Sequence, residues 1–87
     1  MTKLEQKLIE LGYECVSYEY MSKLERYEKV INNSVIYFYI RGEEIVMHSV
    51  YLRRHQTQYE TAFLQVAIDI LQKDLEELKE YEVSKKI

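Results

Sequence analysis

The sequence predicts an α+β domain: a short N-terminal helix, an antiparallel meander of three to four strands, and a long C-terminal helix packed on one sheet face. Three observations carry this. Thr2-Lys3-Leu4-Glu5 is a capping box ahead of apolar residues at helical spacing. Residues 13 to 52 are rich in β-branched and aromatic side chains and are punctuated by turn residues. From Phe63 to Leu78, apolar residues recur with the helical period of about 3.6. Residues 1–87 read as one domain, with 84–87 a frayed tail.

The first helix spans residues 2–11. Thr2 accepts from the backbone three residues on, Glu5 reaches back to the cap, and Leu4, Leu8, Ile9 and Leu11 supply an apolar face. Gly12 stops it, because glycine enters the left-handed region without a steric penalty. From Tyr13 the period becomes two, with Val16, Tyr18 and Tyr20 alternating with Ser17 and Glu19 as in a strand. Residues 22–31 read two ways. Ser22-Lys23-Leu24-Glu25 repeats the capping box, and Leu24, Tyr27 and Ile31 fall at helical spacing. Asn32-Asn33, however, is a two-residue hairpin signal between Val30-Ile31 and Val35-Ile36, since Asn tolerates the positive φ that a type I′ turn demands at both central positions. The hairpin favours a strand over 25–31. Val35 to Ile40 is β-branched and aromatic throughout, Arg41-Gly42-Glu43-Glu44 turns the chain, and Ile45 to Leu52 is the next strand. Thr57-Gln58-Tyr59-Glu60 then caps the long helix, which runs to about Tyr81.

With Asn32 and Asn33 as the turn, Val30 pairs with Val35 and Tyr27 with Phe38. The pleat then places Ile31, Ile36, Phe38, Ile40, Ile45 and Met47 under the long helix. The opposite face collects Val35, Tyr37, Tyr39, Val46, His48 and Val50, with Arg26 and Glu28 across from the tyrosines. A solvated face of an antiparallel sheet carries Thr, Lys, Glu and Ser, so this one is expected to be covered. The long helix raises the same expectation, because its polar stripe of Gln65, Asp69, Gln72 or Lys73, Glu76 and Lys79 is narrow. Either the 2–11 helix covers one of these surfaces, or another protein or a second copy docks on the tyrosines, which suit interfaces.

Composition narrows the function classes. An apolar content of 47% with no Pro and two Gly excludes a disordered or linker sequence. No apolar run has the length of a membrane span and the N-terminus lacks a signal-peptide stretch. Cys15, the single cysteine, forms no internal disulfide, and a soluble cytoplasmic protein is expected. The net charge of −3 is unevenly placed: residues 56–82 hold seven carboxylates against Lys73 and Lys79, a net of −5. Nucleic-acid binders show the opposite balance, whereas Glu76, Glu77 and Glu80 suit a basic protein surface.

Catalytic constellations are missing from the pattern. The spacing of His48 and His55 matches no metal site, zinc would need a second cysteine, and there is no Gly-rich loop for phosphates. No enzymatic activity, cofactor, metal or small-molecule substrate is therefore expected, and Cys15 reads as a small buried hydrophobe. Arg53, Arg54 and His55 precede the capped start of the long helix, where backbone N–H groups favour anions. They define a nucleic-acid-binding alternative. The element order is similar in topology to the double-stranded RNA-binding domain, which carries basic residues at the start of its last helix. Here Gln56, Thr57, Gln58 and Glu60 stand there instead.

Leu11-Gly12-Tyr13, Tyr27-Glu28-Lys29, Val35-Ile36-Tyr37-Phe38 and Ile45-Val46 give residues 4–50 a pattern that resembles small uncharacterised proteins encoded in phages and prophages of Gram-positive bacteria. Some small acidic phage proteins of this build are anti-CRISPR or other anti-defence inhibitors. The resemblance implies that class of function and assigns no residue. The expectation is a non-enzymatic, phage-derived interaction module that binds a host protein such as a defence component, or that homodimerises, without membrane contact. Tyr37, Tyr39, Val46, His48 and Val50 form the expected apolar contact patch, with Glu76, Glu77 and Glu80 as an acidic contact.

Overall fold

The computed structural model describes residues 1–53 and 60–82, apart from the side chains of 60–63. Its elements are α1 (Lys3–Glu10), β1 (Glu14–Glu19), β2 (Leu24–Ile31), β3 (Ser34–Arg41), β4 (Glu44–Leu52) and α2 (Glu60–Lys79). The strands form one antiparallel meander in the order β1-β2-β3-β4, with α2 packed on it, so the α+β architecture is the expected one. The expected cap at Thr57, the basic residues Arg54 and His55, and the 84–87 tail lie outside the described residues.

Local chemistry accounts for the boundaries. At α1 the capping box is complete: Glu5 N–H donates to Thr2 Oγ1 at 3.1 Å, and Thr2 N–H donates to Glu5 Oε1 at 2.9 Å. Gly12 follows with φ +98°, and a Cβ there would stand 3.3 Å from Lys29 Cδ, so conformation and space both select glycine. The second capping pattern forms no helix: the chain turns at Ser22-Lys23 and enters β2 at Leu24, in register with β3 through the Asn32-Asn33 hairpin. Val30 faces Val35 and Tyr27 faces Phe38, as expected. The turn type differs from expectation, because Asn32 alone of the pair has positive φ (+54°). A type I′ turn would need positive φ at both central positions.

Both helices lie on the same side of the sheet. Leu4 and Leu8 of α1 and Ala67, Leu71 and Leu78 of α2 close over Tyr13, Tyr27, Ile36, Phe38 and Ile40, all buried. Burying a side chain such as Phe38 fully contributes roughly 1.5–3 kcal/mol, and Tyr13 meets its ring edge to face at 5.2 Å. Lys7 of α1 stands 5.7 Å from the Tyr81 ring just beyond α2. The first helix therefore packs beside the second, and the outer sheet face stays bare among the described residues.

A bulge corrects the expected sorting of β4. The ladder pairs Ile36 with Val50, Phe38 with His48 and Tyr39 with Met47, then Ile40 with Ile45, which leaves Val46 as an extra residue. One extra residue sends every side chain beyond it to the other face. Met47 thus shares the outer face with Tyr39, while His48 and Val50 belong to the face of Phe38 and Ile36. A second irregularity lies between Cys15 and Ser17 on β1. Cys15 is exposed rather than buried, because β1 is the sheet's edge and all six of its residues face solvent.

Candidate functional site

Three cross-strand rows build the outer face: Val30–Val35–Tyr51, Glu28–Tyr37–Ser49 and Arg26–Tyr39–Met47. Arg26 organises its centre. The guanidinium lies 4.2 Å from the Tyr37 ring centroid and 5.3 Å from that of Tyr39. It donates from Nη1 to Tyr39 Oη at 2.8 Å and from Nε to Glu28 Oε2 at 2.7 Å. Tyr37 also contacts Tyr39 and Tyr51, with ring centroids 5.7 Å and 6.0 Å apart. These contacts fix the rotamers, so the two tyrosines are half-buried with no helix above them. Around them Val30, Met47 and Tyr51 keep 51%, 49% and 41% of their surface exposed. The face is largely apolar and internally neutral, and Val35 within it is buried.

The expected contact patch is divided by the sheet. Tyr37 and Tyr39 hold the outer face, as expected. Val50 instead packs against the core, and His48 sits against Phe38 with rings 5.6 Å apart. Val46 and His48 line a groove of about 530 Å³ between β4 and the C-terminal half of α2, where Leu75, Lys79 and Glu82 form the other wall. Glu76 borders the neighbouring hollow, with Lys73. Glu77 is half-buried on α2 and Glu80, just beyond it, is exposed, both on the opposite side of the sheet from the tyrosines. One flat partner surface therefore cannot meet the tyrosines and these glutamates together. Of the basic cluster, Arg53 is exposed and its backbone N–H donates to Asn33 O at 2.7 Å.

Two polar clusters on the helix side escaped the sequence reading. Lys29 Nζ donates to Asp74 Oδ2 at 2.6 Å and to Leu11 O at 2.9 Å, and Tyr13 Oη donates to the same Asp74 oxygen at 2.8 Å. Asp74 is buried, and the network ties the turn after α1 to β2 and α2. Its burial beside that carboxylate pushes the Tyr13 hydroxyl far above its ordinary value, so Tyr13 stays protonated as a donor. A sequence signal existed: Lys29 lies between Tyr27 and Ile31 on the core-facing side of β2, and Asp74 between Leu71 and Leu78 on the buried stripe of α2. In the second cluster, Tyr27 Oη donates to Glu5 Oε2 at 3.2 Å, and Cys15 Sγ lies 3.8 Å from Glu25 Oε2. Burial and the Glu25 charge push the Cys15 thiol up, which disfavours the nucleophilic thiolate. Among the described residues no group of three His, Cys, Asp or Glu side chains is arranged to hold a metal ion, and no helix is long and apolar enough to cross a membrane.

The geometry supplies an exposed apolar face and a groove, with ion pairs that brace the fold. In comparisons with protein-family models, curated proteins and solved structures, nothing matches the chain.

Proposed function

We propose that this protein is a non-enzymatic interaction module whose outer sheet face binds another protein. The observation that carries the reading is the bare face itself: Val30, Met47 and Tyr51 stand half-exposed around a locked Arg26–Tyr37–Tyr39 centre, while both helices occupy the other side. Preorganised aromatic side chains lose little entropy on binding, and Tyr and Arg are the residue types that anchor interfaces. Arg26 already has Glu28 as its partner, so docking buries no uncompensated charge. The resemblance to small phage and prophage proteins supports a host protein, such as a defence component in the bacterial cytoplasm, as the partner.

Capture from a Gram-positive bacterial lysate by the immobilised protein tests this, with Met47→Lys and Tyr37→Ala run in parallel. The expected result is a partner retained by the wild type, lost with Met47→Lys, and weakened by more than about 1 kcal/mol with Tyr37→Ala. A dimer seen by light scattering and abolished by Met47→Lys would identify the partner as a second copy. Binding indifferent to both substitutions would overturn the reading.

A further inference from the structure

β4 is the last strand of the sheet among the described residues, and an edge strand presents backbone donors and acceptors that no neighbour satisfies. One of these donors is already taken. Ile45 N–H donates to Glu82 Oε2 at 2.8 Å, so a side-chain carboxylate just beyond α2 sits where the backbone of a further strand would pair. The bulge at Val46 bends β4 at this point and leaves Val46 43% exposed beside the groove. On the helix side the groove has Leu75 as an apolar wall and Lys79 as a cation. A second hollow of about 470 Å³ shares both residues and adds Gln72, Lys73 and Glu76. Neither lysine is ion-paired among the described residues. The groove thus combines an open strand edge, an apolar wall and Lys79, with Lys73 and Glu76 in the adjoining hollow, and its one built-in occupant is a carboxylate.

We propose that the groove between β4 and α2 is a docking site for an extended, carboxylate-bearing segment of another protein, which adds to the β4 edge and displaces Glu82 from Ile45 N–H. Strand addition supplies main-chain hydrogen bonds, and the side chains along the segment supply selectivity. Val46 and Leu75 receive its apolar residues, and Lys73 and Lys79 attract its carboxylate. Glu82 is an internal competitor that keeps the edge from pairing indiscriminately. The site adjoins the tyrosine face at Met47, which lines the groove as well, and Lys79 and Glu82 on its far wall distinguish the two.

The test is an NMR titration of the full chain with two probes, the peptide acetyl-Val-Thr-Glu-Thr-Val-amide, whose Val and Glu side chains share one face of a strand, and its Gln counterpart. Shifts are expected at residues 45–48 and 75–79 and not at Tyr37 or Tyr51. The Glu peptide should bind at least fivefold more tightly than the Gln peptide. Glu82→Ala should tighten the Glu peptide at least threefold and accelerate hydrogen exchange at the Ile45 amide. Lys79→Glu, at an exposed position, should weaken that peptide at least fivefold, and it keeps the test decisive if Glu82→Ala does not fold. Equal affinity for the two peptides, no binding of either, or shifts centred on Tyr37 and Tyr51 would each overturn the proposal.

Discussion

On β3, Ile36, Phe38 and Ile40 are fully buried beneath two helices, whereas Tyr37 and Tyr39, one pleat over, are half-buried with no element above them. The two faces are similarly rich in apolar and aromatic groups and differ in how their charges are satisfied. On the covered face the Lys29–Asp74 pair runs vertically, from strand to helix, and helps to hold the layers together. On the bare face Arg26 pairs laterally with Glu28 and Tyr39 within the sheet. Vertical pairing closes a face, and lateral pairing leaves its apolar residues available to a partner without an unpaired charge to desolvate.

Substitutions on the two faces should therefore have opposite consequences. The largest loss is expected for Phe38→Ala, which opens a cavity in the covered layer and should lower stability by about 3–5 kcal/mol in denaturant unfolding. A loss under about 1 kcal/mol would mean that the helices do not close this face. Asp74→Ala should follow with about 3 kcal/mol, because it leaves the Lys29 ammonium and the Tyr13 hydroxyl without their shared acceptor. Asp74→Ala combined with Lys29→Met should recover part of that loss.

A pH effect is expected where α1 meets β2. Burial and the Glu5 charge hold the Glu25 carboxyl above its ordinary value. For Glu5, burial pushes upward, but hydrogen bonds from Thr2 and Tyr27 outweigh it and leave the group below its ordinary value. A raised folded value means that Glu25 stabilises at low pH and that this contribution fades as pH rises through it. Glu5 runs the other way, losing its contribution as pH falls. The pair therefore stabilises most between the two titrations. Glu25→Gln fixes the neutral form, so it should melt higher than the wild type near pH 7 and close to it near pH 4, flanking the ordinary carboxylate value of about 4.3. A difference independent of pH would contradict this coupling. The smallest effect on stability is expected for Met47→Lys, within about 0.5 kcal/mol, since its surface is half-exposed. The same substitution should abolish partner binding, which separates the bare face from the covered one.

The legibility of these features follows from what each depends on. Caps and turns are local, so Thr2 and Glu5 marked α1, and Asn32-Asn33 set the β2–β3 register that places Tyr37 and Tyr39 correctly. The β4 register was not legible. Ile45 to Leu52 is apolar in both pleat phases, and nothing local marks the extra residue at Val46, so His48 and Val50 were expected on the wrong face and Met47 under the helix. The exposure of Cys15 depends on β1 being an edge strand that neither helix covers. The groove is long-range too, since Glu82 reaches Ile45 across 37 residues of sequence.

One sheet face is closed and the other open, with the Val46 bulge dividing β4 between them. Paramagnetic broadening of side-chain NMR signals by a neutral soluble nitroxide tests this most directly. Strong broadening of the Val30 and Met47 methyls is expected, with protection of those of Ile36, Ile40 and Val50. Protection of Met47 together with broadening of Val50 would contradict it, because that pattern belongs to a β4 without the bulge.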